Sequence, residues 1–229
     1  RRRVAVPVAR VAYAAITGRD VAVLEMAITY RNLVHQLIRP WRVARVIGAP
    51  IGDQVAIVGA PLWRQMDQQF LRVSTCVTEG IAPIVIEHAM VVRNALYNRC
   101  RDILPGSAGS PVVSVVGKMV IGIVGTTTIG AAPMTTCGEG APCEPSADGP
   151  RTRHETTYVT PIAGIYQCFD ERRQFAVGVP DCPLDSGTQV HVSPPSLGPV
   201  NPRLKPNAIG SPRPTWRSEK KTNFKGNFG

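Results

Sequence analysis

Apolar residues recur along this chain in short runs rather than at helical spacing. RRVAVPVARV at 2–11 alternates crudely, and VAVLEMA at 21–27 and QVAIVGAP at 54–61 are compact apolar segments. FLRVSTCVT at 70–78, PIVIEHAMVV at 83–92, PVVSVV at 111–116 and MVIGIVGTT at 119–127 continue the pattern. Such runs, rich in Val and Ile and bounded by Gly, Pro or Asp, predict strands. Within them VSVVGKMVIGIV predicts a hairpin that turns at Gly117-Lys118. Many short strands without alternating long helices predict an all-β antiparallel barrel or sandwich. One helical pattern stands out, TPIAGIYQCF at 160–169. Thr160 suits the cap, Pro161 the first helical position, and Ile162, Ile165, Tyr166 and Phe169 share one face.

Composition refines this picture in three places. The 229 residues suffice for one sizeable domain or two small ones, and 44% of them are hydrophobic, ample for a core. No apolar run is long enough to span a bilayer, and the basic opening RRRVAVPVAR lacks the apolar region of a secretory signal. The chain is therefore expected to begin after processing or inside a longer polypeptide. The net charge of +10 is uneven: from Ser193 onward seven Lys/Arg face Glu219 alone. That same tail holds seven prolines in residues 193–216, which excludes a helix or a central strand. It is expected to be a linker or a strap along the body or a partner chain, with Trp216 as anchor and Lys220, Lys221 and Lys225 solvated or facing acidic groups.

The six cysteines are predicted to pair locally, as Cys76–Cys100, Cys137–Cys143 and Cys168–Cys182. Three such bridges fit a secreted or periplasmic protein, with the cytoplasm left open. A zinc site from Cys137, Cys143 and His154 matches no common ligand spacing, so no metal or cofactor is expected.

The stretch Pro105-Gly106-Ser107-Ala108-Gly109-Ser110-Pro111 resembles the nucleophile loop of chymotrypsin-like (trypsin-like) serine peptidases of bacterial type, with alanine in the place of the serine. Three segments join it in order. Asp20-Val21-Ala22-Val23-Leu24 resembles the segment in which the triad aspartate begins a strand. Gly52-Asp53-Gln54-Val55-Ala56-Ile57-Val58-Gly59-Ala60-Pro61 resembles the strand that opens the second barrel. Gly122-Ile123-Val124-Gly125 resembles the strand lining the primary specificity pocket. The resemblance covers roughly residues 1–170.

It implies a double antiparallel β-barrel with a C-terminal helix, acting on polypeptide substrates without a cofactor. The first barrel, in residues 1–50, is incomplete. The second barrel and helix take 51–170, a disulfide-linked extension 171–192, and the Pro-rich tail 193–229. Attack on a peptide carbonyl needs a nucleophilic oxygen, a base, an acid that orients the base, and two backbone N–H groups for the oxyanion. The resemblance gives Asp20 the orienting role, position 108 the nucleophile, the N–H groups of Gly106 and Ala108 the oxyanion hole, and Gly125, Thr126 and Thr127 the substrate pocket. Asp102, six residues before Ala108, stands where members that cleave after Arg or Lys place a carboxylate; an aspartate there also bonds loop amides.

Two departures matter. Ala108 has no oxygen to attack with, so this form is expected to be inactive. Its origin is a natural pseudopeptidase or a Ser→Ala substitution, and the otherwise intact loop favours the substitution. The family's histidine precedes the aspartate, yet His35, His88, His154 and His191 all follow Asp20. The base is then expected on an N-terminal segment or separate chain, without which the first barrel leaves an apolar edge open. Two rival functions remain: a pseudopeptidase serving as a protein-binding module, and a polyanion binder acting through the tail, where Trp216, Phe224 and Phe228 offer stacking. Nucleic acid is the less expected partner.

Overall fold

The computed structural model describes residues 6–35, 40–45, 51–59, 71–104, 106–130, 137–138 and 140–184. The expectations placed on the tail, on Trp216 and on His191 lie outside the described residues.

Six strands form the body. Strand β4 (Gln54–Gly59) pairs with β5 (Arg72–Glu87), which turns at His88-Ala89 into β6 (Met90–Asn98). Strands β7 (Pro111–Ser114) and β8 (Met119–Thr127) make the expected hairpin, its turn occupying residues 115–118. Strand β9 (Thr157–Pro161) pairs with β8 on one side and β6 on the other, while β4 also pairs with β7. All these pairings are antiparallel and they close into a ring. A closed ring has no free edge strand, so each of its strands satisfies its backbone on both sides. The chain is all-β, and the ring is built from strands between Gln54 and Pro161.

Alternation explains what fills it. On β4, Val55 and Ile57 are fully buried, and they pack with Leu96, Ile103, Val112, Ile121, Val124 and Val159. Cys100 joins that core and is bonded to Cys76. The pairs Cys137–Cys143 and Cys168–Cys182 are also formed, as expected from their local spacing.

Before the ring come β1 (Val8–Ala15), β2 (Thr17–Gly18) and β3 (Val21–Met26). Strands β1 and β3 form a two-stranded antiparallel hairpin, and β2 runs parallel to β6 at Val91 and Val92. Only one end of the hairpin is buried. Tyr13, Ala15 and Val21 pack with Cys168 and Leu184, and the Tyr13 and Phe175 rings lie 6.3 Å apart. Val8, Val11, Leu24 and Met26 remain exposed.

Three details depart from expectation. The runs at 70–78 and 83–92 are not two strands: β5 continues through both, and the turn falls at His88, whose φ of 48° suits a tight hairpin. The helix expected from Thr160 does not begin there. Thr160 and Pro161 finish the fully buried β9, Gly164 takes a φ of 81°, and a single 3-10 turn follows at Ile165–Cys168. Pairing on both sides of β9 outweighs a cap signal, and Pro at a strand end forfeits no ladder bond. A short helix α1 (Tyr30–His35) was not anticipated; its start is marked by the Asn32 N–H donating to Thr29 Oγ1 at 3.3 Å. No helix among the described residues is long and apolar enough to cross a membrane.

Candidate active site

Two tight turns shape the loop between β6 and β7. The Ser107 N–H donates to the Leu104 carbonyl at 3.0 Å, and the Ser110 N–H to the Ser107 carbonyl at 3.0 Å. Gly106 holds a φ of 89° and Gly109 of 82°, conformations that glycine adopts without steric cost. Two bonds fasten the loop to β8: the Gly109 N–H to the Val124 carbonyl at 2.8 Å, and the Val124 N–H to the Ser110 carbonyl at 2.9 Å. Gly59, at the end of β4, allows the loop to sit close, since a Cβ there would lie 2.8 Å from Ser110 Oγ. As a result Ser107 and Ser110 are buried while Gly106 and Ala108 face outward. Among the described residues the N–H groups of Gly106 and Ala108 donate to nothing. The loop thus presents two uncommitted donors beside a methyl group.

Asp20 reaches the same neighbourhood from the other side. Pairing of β2 with β6 anchors the chain before it, and Arg19 Nη1 donates to the Pro161 carbonyl at 3.0 Å. Val21 is buried immediately after it. Gly125 is slipped out of register between Val124 and Thr126, and a Cβ on it would lie 3.8 Å from Asp20 Oδ2 and 3.4 Å from Thr160 Oγ1. Asp20 and the loop therefore meet on consecutive residues of β8, Gly125 and Val124. Burial raises the Asp20 carboxyl above the usual aspartate range, and the negative charge of Glu87 adds to this.

Glu87 had no signal in the sequence beyond its place at a strand end. The Cys137–Cys143 loop holds it: the Gly140 N–H donates to Glu87 Oε1 at 2.7 Å, and Ile86 and Cys143 exchange backbone bonds of 2.8 and 2.9 Å. With both sulfurs joined, Cys137 and Cys143 have no thiolate to offer a metal.

Three residues expected at the substrate pocket have definite surroundings. Thr127 is committed to structure, its Oγ1 lying 3.2 Å from the Thr156 carbonyl and from Thr157 Oγ1 and accepting from the Ile129 N–H at 3.1 Å. Thr126 is half-buried opposite Tyr158. Asp102 is exposed on a turn with a φ of 63°. The sequence also did not disclose the group that ties residues 144–153 to the barrel. Arg153 pairs with both oxygens of Glu144, Tyr158 Oη donates to Glu144 Oε1 at 2.9 Å, and the guanidinium lies 4.2 Å from the Tyr97 ring centre. Burial, followed by the bond to Glu144, pushes the Tyr158 phenol well above its ordinary range. Among the described residues no histidine acts on Asp20, and His35, His88 and His154 are all exposed.

No family model matches the chain and no curated protein matches it. Solved structures do. Protein Rv3671c of M. tuberculosis H37Rv, in the inactive form of a serine-to-alanine mutant, is 17% identical with a TM-score of 0.39, over 67% of this chain and 58% of that one. Cellulomonas bogoriensis chymotrypsin is 14% identical with a TM-score of 0.37, over 66% of each chain. Nocardiopsis protease is 15% identical with a TM-score of 0.36, over 63% of this chain and 62% of that one. The chain spans about three fifths of the length of these structures, to which it is similar.

Proposed function

We propose that this chain is the part of a serine endopeptidase that carries the oxyanion hole, the nucleophile position and the orienting aspartate. One observation carries the reading: a turn with two uncommitted N–H donors around residue 108 is bonded to the strand residue adjoining the one that faces Asp20. Serine at 108 would attack the scissile carbonyl, with the Gly106 and residue-108 N–H groups stabilising the oxyanion. A histidine would accept the serine proton and return it to the leaving amine, held in the required tautomer by Asp20. Paired with the resulting imidazolium, the Asp20 carboxylate is favoured in its ionised form, which opposes the upward pull of burial.

The histidine comes from a further polypeptide segment, N-terminal or separate. Its docking place is the β1–β3 hairpin, where Val8, Val11, Leu24 and Met26 stand exposed within reach of continued sheet pairing. With Ala108 in place the chain would bind polypeptide without cleaving it. Asp102, the support for an Arg/Lys preference, is exposed, so water screens its attraction for a cationic side chain. The three disulfides support an oxidising compartment.

The test is Ala108→Ser expressed with the histidine-bearing segment, or assayed with imidazole as the base, and exposed to a serine-directed acylating reagent. The expected result is a single adduct at residue 108. A folded protein with no adduct at residue 108 contradicts the reading.

A further inference from the structure

The segment FDERRQF at 169–175 follows the ring and folds back on itself as a tight turn. Phe169 and Phe175 bridge its ends, and the Asp170 N–H donates to the Gln174 carbonyl at 2.9 Å. Asp170 Oδ1 accepts from the Gln174 N–H at 2.7 Å, and the Cys168–Cys182 bond secures the base. Inside this clamp Arg173 takes a φ of 59°, a conformation that costs any residue with a Cβ. The turn and the β1–β3 hairpin line a common cavity of about 430 Å³, the size of a small-ligand site. Its aromatic wall is made by Phe169 and Phe175, which meet edge to face with ring centres 5.6 Å apart. Phe169 is 46% exposed, and Val23 of the hairpin adds apolar lining. Two guanidinium groups complete it. Arg10 Nε is bonded to Glu25 Oε2 at 2.5 Å, so these two charges offset each other. Arg173 is left over: among the described residues no carboxylate pairs with it.

We propose that this cavity binds a carboxylate carried on an apolar group, with the group against Phe169 and the carboxylate on Arg173. One uncompensated cation matches one negative charge, and a planar guanidinium holds a carboxylate through two parallel N–H bonds. A dianion such as phosphate is disfavoured, because Glu25 lines the same cavity and a single free cation opposes it. An uncharged apolar molecule leaves the guanidinium without a partner. The exposed Phe169 ring offers a second ring an offset or edge contact. Arg173 is itself exposed, so water weakens the ion pair, and binding needs the apolar contact and the charge together. Two sources carry this chemistry: a free arylalkanoic acid, and the C-terminal residue of a peptide that ends in a large apolar side chain. The site goes beyond the peptidase reading and does not rest on it.

The test titrates the full chain with 3-phenylpropionate, with its amide, and with a short peptide ending in phenylalanine, its C-terminus free or amidated. Binding is read by NMR at the Phe169 and Phe175 rings and at the Arg173 Nε–H. Saturable shifts are expected with the free carboxylates, in the low-millimolar range for a ligand of this size. The amides should bind about tenfold more weakly, the loss expected for one hydrogen-bonded charge. Tighter binding by the peptide assigns its C-terminus as the source, and equal or tighter binding by 3-phenylpropionate assigns a free acid. Arg173→Gly separates binding from folding. Glycine adopts a φ of 59° without strain, so the Tm should hold or rise while the preference for acid over amide disappears. Phe169→Ala should weaken both carboxylates by about tenfold through the lost ring contact. Amides that bind as well as the acids, or shifts that never saturate, overturn the proposal. So does Arg173→Gly with the acid preference intact, or Phe169→Ala with unchanged affinity.

Discussion

The ring β4–β9 and the hairpin β1–β3 are built from similar residues and reach opposite outcomes. In the ring, alternating Val and Ile on β4 point into a core in which Val55 and Ile57 have no exposure. In the hairpin the apolar side chains of Val8, Val11, Leu24 and Met26 are more than 40% exposed. The difference is closure. Six strands that pair end to end bury one face of each, while two strands have an inner face only where Tyr13, Ala15 and Val21 meet residues 168–184. The proposed site straddles this divide, with residue 108 on the self-sufficient ring and Asp20 at the turn into β3 of the hairpin. In the proposed site the two N–H donors around residue 108 are therefore preformed, and the proposed acid–base half would need a further segment.

The largest effect should come from the cores themselves. Ile57→Ala empties a closed site and should cost about 2–5 kcal/mol, read by chemical denaturation. Leu24→Ala should change stability by no more than about 0.5 kcal/mol in the isolated chain. Once a histidine-bearing segment is bound, Leu24→Ala should become costly; a site that stays neutral in the complex would break the comparison.

A smaller effect is expected where the ring supports the loop. Gly59→Ala places a Cβ against Ser110 Oγ and should cost about 1–3 kcal/mol, with amide shifts at Gly109 and Val124 reporting the displaced loop. Unmoved amides would show that the loop does not depend on this approach.

How much of this the sequence disclosed follows the same divide. Strands β4, β7 and β8 were legible because each is a short apolar run between breakers, and alternation alone specifies which face is buried. The three disulfides were legible because each closes a local loop. The continuity of β5 was not, since a run of strand residues does not show where the partner strand turns back, and His88 carries no Gly or Asn signal for that turn. Thr160 and Pro161 imitated a helix start; non-local pairing with β6 and β8 decided otherwise. At the site, Asp20, Gly106 and Ala108 came from a resemblance in order and spacing. Glu87 could not, because its relation to Asp20 exists only once the fold brings the two carboxylates together.

The smallest effect concerns charge. Burial holds the Asp20 carboxyl above its unfolded value of 3.8, so the neutral form is the one the fold favours. The stability it contributes is fully present below that value and is lost as pH rises through the folded midpoint. Asp20→Asn, which stays neutral, should match the parent Tm in acid and exceed it modestly near pH 7. Equal Tm differences at both pH values would deny the buried charge. Adding the histidine-bearing segment should erase the gain, because the paired carboxylate is then stabilised.

The claim that the two halves form one site is tested most directly by the acylation rate at residue 108. Ala108→Ser would be assembled with the histidine-bearing segment and compared with the same assembly carrying Asp20→Asn. Loss of the orienting carboxylate, with the loop and its N–H donors intact, should slow acylation by roughly 10⁴-fold. Equal rates in the two assemblies would mean that Asp20 does not serve residue 108, and the site would not be a peptidase triad.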